Sequence, residues 1–314
     1  MKIAIDTAAF TDGELGFEEF EKLGETVRLN EPSREELFAL CADCDAIIIN
    51  KIIIDGEFLD RCPEIKYVGV FATGYNVVDT ELCRSRNVTV CNVPDYSTHA
   101  VAQHVFALIL SILGKIPQYV ASVAAGDWVK SKTFCYFPFG TYEITGKTLG
   151  ILGYGHIGRT VADIASAFGM NVIVCTRTKP DNCPYEVTDF RSMLEKSDIV
   201  SLHCPLTPET RTIMNEEAFS AMKDGAIIIN TARGGLVDEA ALTEALNSGK
   251  LSGAGLDVVS EEPMRADNPL LHAKNCLITP HIAWVPLETR RRLLKTAAEN
   301  LKCFLDGKPQ NAVN

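Results

Sequence analysis

Residues 148–159 read "TLGILGYGHIGR", and the architecture of the chain can be worked out from them. Thr148 to Leu152 form a mostly apolar run of strand length. Gly153, Gly155 and Gly158 follow in G-x-G-x-x-G spacing, and a helical pattern opens at His156. Each glycine meets a separate steric demand. The first permits a tight turn, the second lets the backbone approach a pyrophosphate, and the third lets helix and strand pack closely. The helix N-terminus then presents amide N–H groups without intrahelical acceptors, which suits a phosphate. Glycine-rich turns are common, so the spacing alone says little. Between a strand and a helix it predicts dinucleotide binding.

On both sides of this loop, short apolar runs alternate with helical stretches. Toward the C-terminus they are "NVIVCT" (171–176), "DIVSLH" (198–203), "AIIINT" (226–231), "GAGLDV" (253–258) and "CLITPH" (276–281). Gly225 and Gly253 punctuate strand entries there. Toward the N-terminus they are "KIAI" (2–5), "TVRL" (26–29), "AIII" (46–49), "YVGV" (67–70) and "VTVCNV" (88–93). Ser33 with Glu36 three residues on reads as a capping box opening a helix. Strands alternating with helices predict parallel βαβ units, so the expected fold is α/β with two doubly wound parallel-sheet lobes. "AVAQHVFALILSIL" (100–113) separates the two series, is too short to span a bilayer, and reads as a helix buried on most sides. Residues 286–306 read as an amphipathic helix with Leu287, Leu294, Ala298, Leu301 and Leu305 on one stripe and Gly307 as its stop.

The composition suits a globular protein of two domains: 314 residues, 46% hydrophobic and 23% charged. Lys and Arg number 30 against 41 Asp and Glu, and the net charge of −11 argues against nucleic acid or an anionic membrane as partner. "MKIAIDTAAF" reads as a strand and its loop rather than a leader, so the expected location is the cytoplasm, with the eleven cysteines reduced. Cys41 and Cys44 in "CADC" have no second C-x-x-C at zinc-finger distance. They read as buried thiols, and no metal is expected.

A dinucleotide loop usually has an acid about 20 residues on, where it accepts hydrogen bonds from the adenosine ribose. In "NVIVCTRTKP" (171–180), Thr176, Arg177 and Thr178 stand at that point, with Lys179 next. A carboxylate there would repel a 2′-phosphate, whereas these residues supply a guanidinium and two hydroxyls. They favour NADP(H), with NAD(H) possible. The plain alternative is a solvated arginine on a loop that holds NAD(H) less tightly.

Three later strand ends carry polar residues. "NTARGGLVDE" puts Arg233 just past a buried strand, "GLDVVSEEP" puts Asp257 at a strand end and Glu262 before Pro263, and "LITPHIAW" puts His281 at the end of a strand. In open α/β sheets ligands gather at the carboxyl ends of strands, so these groups should share a crevice with the glycine loop. Hydride transfer to a 2-keto acid needs a fork for the carboxylate, a proton donor for the oxygen, and a partner that orients the donor. Arg233, His281 and Glu262 supply these in turn. Taken singly, a capping cation, a core histidine and a solvated acid explain the three equally well; their joint placement favours a site.

With these residues in view, the chain resembles the D-isomer-specific 2-hydroxyacid dehydrogenases. "FATGYNVVD", "GKTLGILGYGHIGR", "SLHCPLTPETR", "MKDGAIIINTARGGLVDEAAL", "GAGLDV", "EEP" and "TPHIAW" fit that family's pattern nearly end to end. The resemblance implies that Arg233, Glu262 and His281 are the catalytic trio, and that the backbone around Thr73 and Gly74 helps hold the substrate carboxylate. It implies that His156, Ile157, Cys204, Pro205, Thr210, Thr231, Ala232 and Asp257 line the cofactor site with the glycine loop, Asp257 near the nicotinamide amide. It further implies a Rossmann cofactor domain over residues 99–287 and a flavodoxin-like substrate-binding domain from residues 1–98 plus 288–314. A homodimer through "AVAQHVFALILSIL" is implied as well.

Within the family the chain is most similar to hydroxypyruvate reductases, also called glycerate dehydrogenases, which often accept glyoxylate; "NKIIID", "GYNVVDTE" and "TPHIAW" carry that likeness. Lys51 and Trp284 are candidates to favour a small hydroxylated acid and to close its pocket, against the plain readings of a surface lysine and a core tryptophan. Phosphoglycerate dehydrogenase is the nearest competing activity and would need further cations for a second anion. Formate dehydrogenases are disfavoured, since they place glutamine where Glu262 stands. A dinucleotide-sensing, corepressor-like binding protein is the alternative of another class.

Overall fold

The structure is a computed structural model and describes residues 1–10, 15–178, 180 and 182–314. The chain divides into two units, Met1–Ser97 with Val285–Asn314, and Thr98–Trp284. Each is α/β around one all-parallel sheet, as the alternating strand and helix signals predict.

The first unit holds β1 (Lys2–Asp6), β2 (Glu25–Leu29), β3 (Ala46–Ile49), β4 (Tyr67–Val70) and β5 (Thr89–Cys91) in the order β2-β1-β3-β4-β5. β3 and β4 are buried along their whole length. That is why they read as continuous apolar runs, since a central parallel strand is covered on both faces. Side chains tie the carboxyl ends together. The Asn50 amide donates to Asp6 Oδ2 at 3.0 Å, and Asn50 Nδ2 donates to the Phe71 carbonyl at 3.1 Å. The capping box forms as expected, with Ser33 and Glu36 opening the helix Arg34–Cys41. Cys41 and Cys44 are free and fully buried.

The second unit holds β6 (Thr148–Leu152), β7 (Asn171–Cys175), β8 (Glu186–Val187), β9 (Ile199–Leu202), β10 (Ala226–Asn230), β11 (Leu251–Leu256) and β12 (Cys276–Ile278). Their order is β12-β11-β10-β9-β6-β7-β8. The chain leaves β6 for β7 on one side, then crosses to β9 on the other, so the strand order reverses between β6 and β9. Connections diverge at such a point and open a crevice at the carboxyl ends. Gly153, at φ +98°, sits there, and a Cβ on it would lie 2.6 Å from the Cys204 amide nitrogen. One on Gly158 would lie 2.2 Å from the Gly153 carbonyl oxygen. The tight turn read at Gly153 and the close helix–strand packing read at Gly158 are both present. The helix Thr98–Gly114 buries nine of its residues. Among the described residues, no single helix is long and apolar enough to cross a membrane.

Some boundaries differ from the sequence reading. β5 stops at Cys91 rather than Val93, because the Asn92 amide turns to the Asn311 carbonyl (3.2 Å) and that of Val93 to Ala72 (3.0 Å). β12 stops at Ile278 rather than His281; Pro280 has no amide to continue a ladder, and His281 adopts φ +55°. The amphipathic helix spans Leu287–Leu305, but Leu305 is 44% exposed and the buried face includes Thr289, Arg290 and Asn300. Those polar groups find partners: Arg290 Nε donates to Val285 (2.7 Å) and Asn300 Nδ2 to Asn92 (2.8 Å). A hydropathy stripe does not count polar groups that are buried because they are paired.

Candidate active site

Two loops at the carboxyl ends of β10 and β11 lie against each other. Asn230, wholly buried, closes the first: its Oδ1 accepts the Ala232 amide (3.0 Å) and its Nδ2 donates to the Arg233 carbonyl (2.9 Å). Gly234 comes next, and a Cβ there would lie 1.9 Å from both the carbonyl carbon and oxygen of Val259. Only glycine lets the Arg233 segment approach the segment leading to Glu262. The Arg233 side chain is exposed, donates to the Ala232 carbonyl (2.7 Å), and pairs with no carboxylate among the described residues. Its charge is open to an anionic ligand.

Glu262 and His281 are brought together. Glu262 Oε2 lies 2.7 Å from His281 Nδ1, with the side chains 29% and 31% exposed. The other oxygen, Oε1, accepts the Val259 amide at 3.3 Å. A carboxylate only accepts, so the pairing puts a proton on Nδ1 and turns Nε2 toward whatever binds. The His281 amide donates to the Asp257 carbonyl (2.8 Å).

Asp257 is 1% exposed and its carboxylate holds the following loop: Oδ1 accepts the Ile282 amide and Oδ2 that of Ala283, both at 2.9 Å. Thr279 Oγ1 donates to Oδ1 at 2.6 Å and lies 2.9 Å from His104 Nε2. Sequence reasoning missed Thr279 and His104. Both looked like ordinary strand-end and helix residues, and nothing in their spacing marks a contact 175 residues apart.

The glycine loop fits a dinucleotide. A Cβ on Gly155 would meet nothing within 4 Å, and the helix His156–Ala167 starts without a side-chain cap. Open space thus faces a helix N-terminus without a side-chain cap, as a pyrophosphate requires. Thr231 Oγ1 is buried without a hydrogen-bond partner among the described residues, a donor waiting for an acceptor. Ala232 and Ile157 are half-buried and apolar, and His156 is exposed. Burial pushes the Cys204 thiol up to about 11, so it lines the crevice as a neutral group. Thr210 shapes the neighbouring loop by donating to the Pro205 carbonyl (2.7 Å). Beyond β7, Thr176 is half-buried while Arg177 and Thr178 are exposed; Lys179 lies outside the described residues. Glu209 is held below the usual carboxylate range by the Thr207 hydroxyl first and by the Arg177 charge in smaller part.

Lys51, Thr73 and Gly74 belong to the first unit. Lys51 is exposed just past β3. The Thr73 hydroxyl donates to Val93 (3.0 Å) and its carbonyl accepts Asn92 Nδ2 (2.7 Å), which fixes the peptide while the Thr73 and Gly74 amides donate to no acceptor among the described residues. Trp284 is half-buried at the end of the second unit.

An open parallel sheet with a glycine turn at its switch point, and a histidine–carboxylate pair at nearby strand ends, defines a nicotinamide-dependent oxidoreductase. Residues 106–283 match the family described as D-isomer specific 2-hydroxyacid dehydrogenase, NAD binding domain, and the chain belongs to that family. A hydroxypyruvate reductase from Blautia hydrogenotrophica is 43% identical, the alignment covering 100% of both chains. A glycerate dehydrogenase from Methylorubrum extorquens is 41% identical over 89% of this chain and 88% of its own. Among solved structures, an acyclic imino acid reductase in complex with NADPH and D-Arg has a TM-score of 0.89 at 33% identity, covering 100% of each chain.

Proposed function

We propose that this protein reduces a small 2-keto acid to the D-2-hydroxy acid, with hydroxypyruvate to D-glycerate as the favoured reaction and glyoxylate to glycolate as a second. The observation that carries this reading is the 2.7 Å pairing of His281 Nδ1 with Glu262 Oε2, in the same unit as the glycine turn after β6. The nicotinamide, when bound, supplies or takes the hydride. Arg233 grips the substrate carboxylate with a forked pair of N–H groups. His281 Nε2 donates a proton to the carbonyl oxygen as negative charge builds there, and takes it back in the reverse direction. Glu262 keeps the proton on Nδ1 and fixes the ring plane, which leaves Nε2 facing the substrate.

For the dinucleotide, the amides of the helix His156–Ala167 take the pyrophosphate, Thr231 offers its unpaired hydroxyl, and Thr176, Arg177 and Thr178 take a 2′-phosphate. NADP(H) is therefore accepted, with NAD(H) as the second cofactor. The related imino acid reductase structure that contains NADPH supports this reading. A cytoplasmic homodimer completes it. Val120, Val129, Phe134 and Phe137, which follow the helix Thr98–Gly114, are 63%, 89%, 91% and 77% exposed, more apolar surface than a monomer usually leaves to water.

The test is a steady-state screen of hydroxypyruvate, glyoxylate, pyruvate and phosphohydroxypyruvate, each with NADH and NADPH, alongside light scattering for the oligomeric state. Hydroxypyruvate should give the highest kcat/KM. A preference for phosphohydroxypyruvate would move the assignment to phosphoglycerate dehydrogenase, and no turnover with any keto acid would remove the enzymatic reading.

A further inference from the structure

His281 holds a left-handed backbone, φ +55°, without being glycine. Such a conformation costs about 1–2 kcal/mol for an L-residue and persists only where surrounding contacts determine it. Here they converge on one residue. Asp257 accepts three successive amides: that of His281 on its carbonyl (2.8 Å), Ile282 on Oδ1 and Ala283 on Oδ2 (2.9 Å each). The direction in which the Asp257 carboxylate points therefore sets where the His281 ring can go.

That direction has its own support. Both carboxylate oxygens are occupied as acceptors, and the Thr279 hydroxyl donates its single proton to Oδ1 at 2.6 Å. Thr279 Oγ1 is then an acceptor toward His104 Nε2, 2.9 Å away on the helix Thr98–Gly114, and the same nitrogen stands 3.5 Å from Asp257 Oδ1. An ordered chain results: His104 Nε2–H to Thr279 Oγ1–H to Asp257 to the amides of the His281 loop. Neither His104 nor Thr279 belongs to the hydrophobic core. They form part of the wall of a cleft of about 480 Å³ with Leu108, Ser111, Pro117 and Cys276. Their hydrogen bonding is thus not a by-product of core packing.

We infer that His104 and Thr279 are positioning residues for the proposed reaction, aiming the His281 ring through the Asp257 carboxylate. This rests on His281 being the proton donor. Neither side chain touches the reacting atoms; both act through the backbone of residues 281–283.

The experiment uses the full chain with Thr279→Val, which keeps the side-chain shape and removes the hydroxyl. A ring displaced by a fraction of an ångström to about 1 Å should lower kcat roughly 10- to 100-fold. The KM for hydroxypyruvate and the Kd for NADH and NADPH should change by less than about threefold, because ground-state contacts are untouched. Thr279→Ser should restore kcat, and His104→Phe should lower it in the same direction by less. In the ligand-free protein with isotope-labelled histidine, the His281 ring resonances should move in Thr279→Val. Unchanged kcat and unmoved resonances would overturn the inference. So would a parallel loss of kcat, dinucleotide affinity and Tm, which marks general loosening. His281→Gln separates the two levels. If it turns over normally, the proton-donor assignment fails, and the ring resonances alone then decide whether the loop is aimed as described.

Discussion

Gly234→Ala probes the contact that brings the arginine loop and the glutamate loop together. The added Cβ would stand 1.9 Å from the Val259 carbonyl carbon and oxygen and 2.4 Å from the Ser260 nitrogen, all backbone atoms with no side chain to swing aside. Reaching an ordinary contact of about 3.5 Å requires the two loops to part by roughly 1.5 Å. That movement carries Arg233 away from Glu262 and hence from His281. A misplacement of about 1 Å costs on the order of 100-fold in rate, so kcat/KM for hydroxypyruvate should fall at least that far. Overpacking of this kind costs about 1–3 kcal/mol, and at about 2–4 °C per kcal/mol the Tm should drop by roughly 2–12 °C. Steady-state reduction followed at the nicotinamide absorbance, with a thermal melt, measures both. Gly235→Ala is the internal comparison. Its Cβ would meet only flexible side-chain ends, Leu206 at 2.9 Å and Arg211 at 3.8 Å, so activity should stay within about threefold of wild type. Gly234→Ala with wild-type kinetics and an unchanged melt would refute the account of how the two loops are held.

Gly155→Ala places its methyl in open space, so the ligand-free Tm should not move, while the Kd for NADH or NADPH should rise at least 10-fold by calorimetry; retained affinity would place the pyrophosphate elsewhere. Arg177→Ala should weaken NADPH far more than NADH, and Glu209→Gln, which removes the carboxylate sharing that cation, should tighten NADPH alone; equal effects on both dinucleotides would contradict the 2′-phosphate contact. Burial pushes the Asp198 carboxyl up, but the Thr148 amide (2.7 Å) and the Lys223 ammonium (2.9 Å) outweigh it and hold it below the usual range. Its stabilisation is therefore full above the unfolded carboxylate pKa of about 4 and lost as the pH falls through the lower folded value, so Asp198→Asn should lower Tm at pH 7 and much less at pH 2, as melts at the two pH values would show.

Much of this was legible in the residues. The strand runs, the capping box at Ser33 and the glycine turn were readable because each rests on local chemistry: burial on both faces, a side chain reaching three residues, a missing Cβ. The meeting of Glu262 with His281 was foreseeable because strand ends in a parallel sheet point one way. What escaped has a common physical cause. The Asp257 carboxylate, read as lining the cofactor site, also anchors the loop that carries His281. Thr279 and His104 complete that anchor through contacts that only the folded chain creates. The first glycine of "ARGG", Gly234, carried a signal that went unused, since a Gly directly after that arginine marks a backbone approach no side chain permits. The polar face of the helix Leu287–Leu305 was invisible to hydropathy for the related reason that paired polar atoms bury like apolar ones.

The exposure of the His281–Glu262 pair says what kind of site this is. With both side chains about 30% exposed, water screens their attraction, and a partly exposed pair of this kind contributes at most about 1 kcal/mol to folding. Such an interaction cannot by itself hold a ring in a left-handed loop that costs a similar amount. The geometry must come from the backbone: Gly234 against Val259 on one side, and Asp257 gathering three amides on the other. The groups proposed to move protons are weakly held and open to ligand, while the groups that aim them are buried and satisfied. Chemistry and positioning are thereby assigned to different residues, so that substitutions at His281 should remove turnover with little effect on the melt, whereas substitutions at Asp257 should damage both.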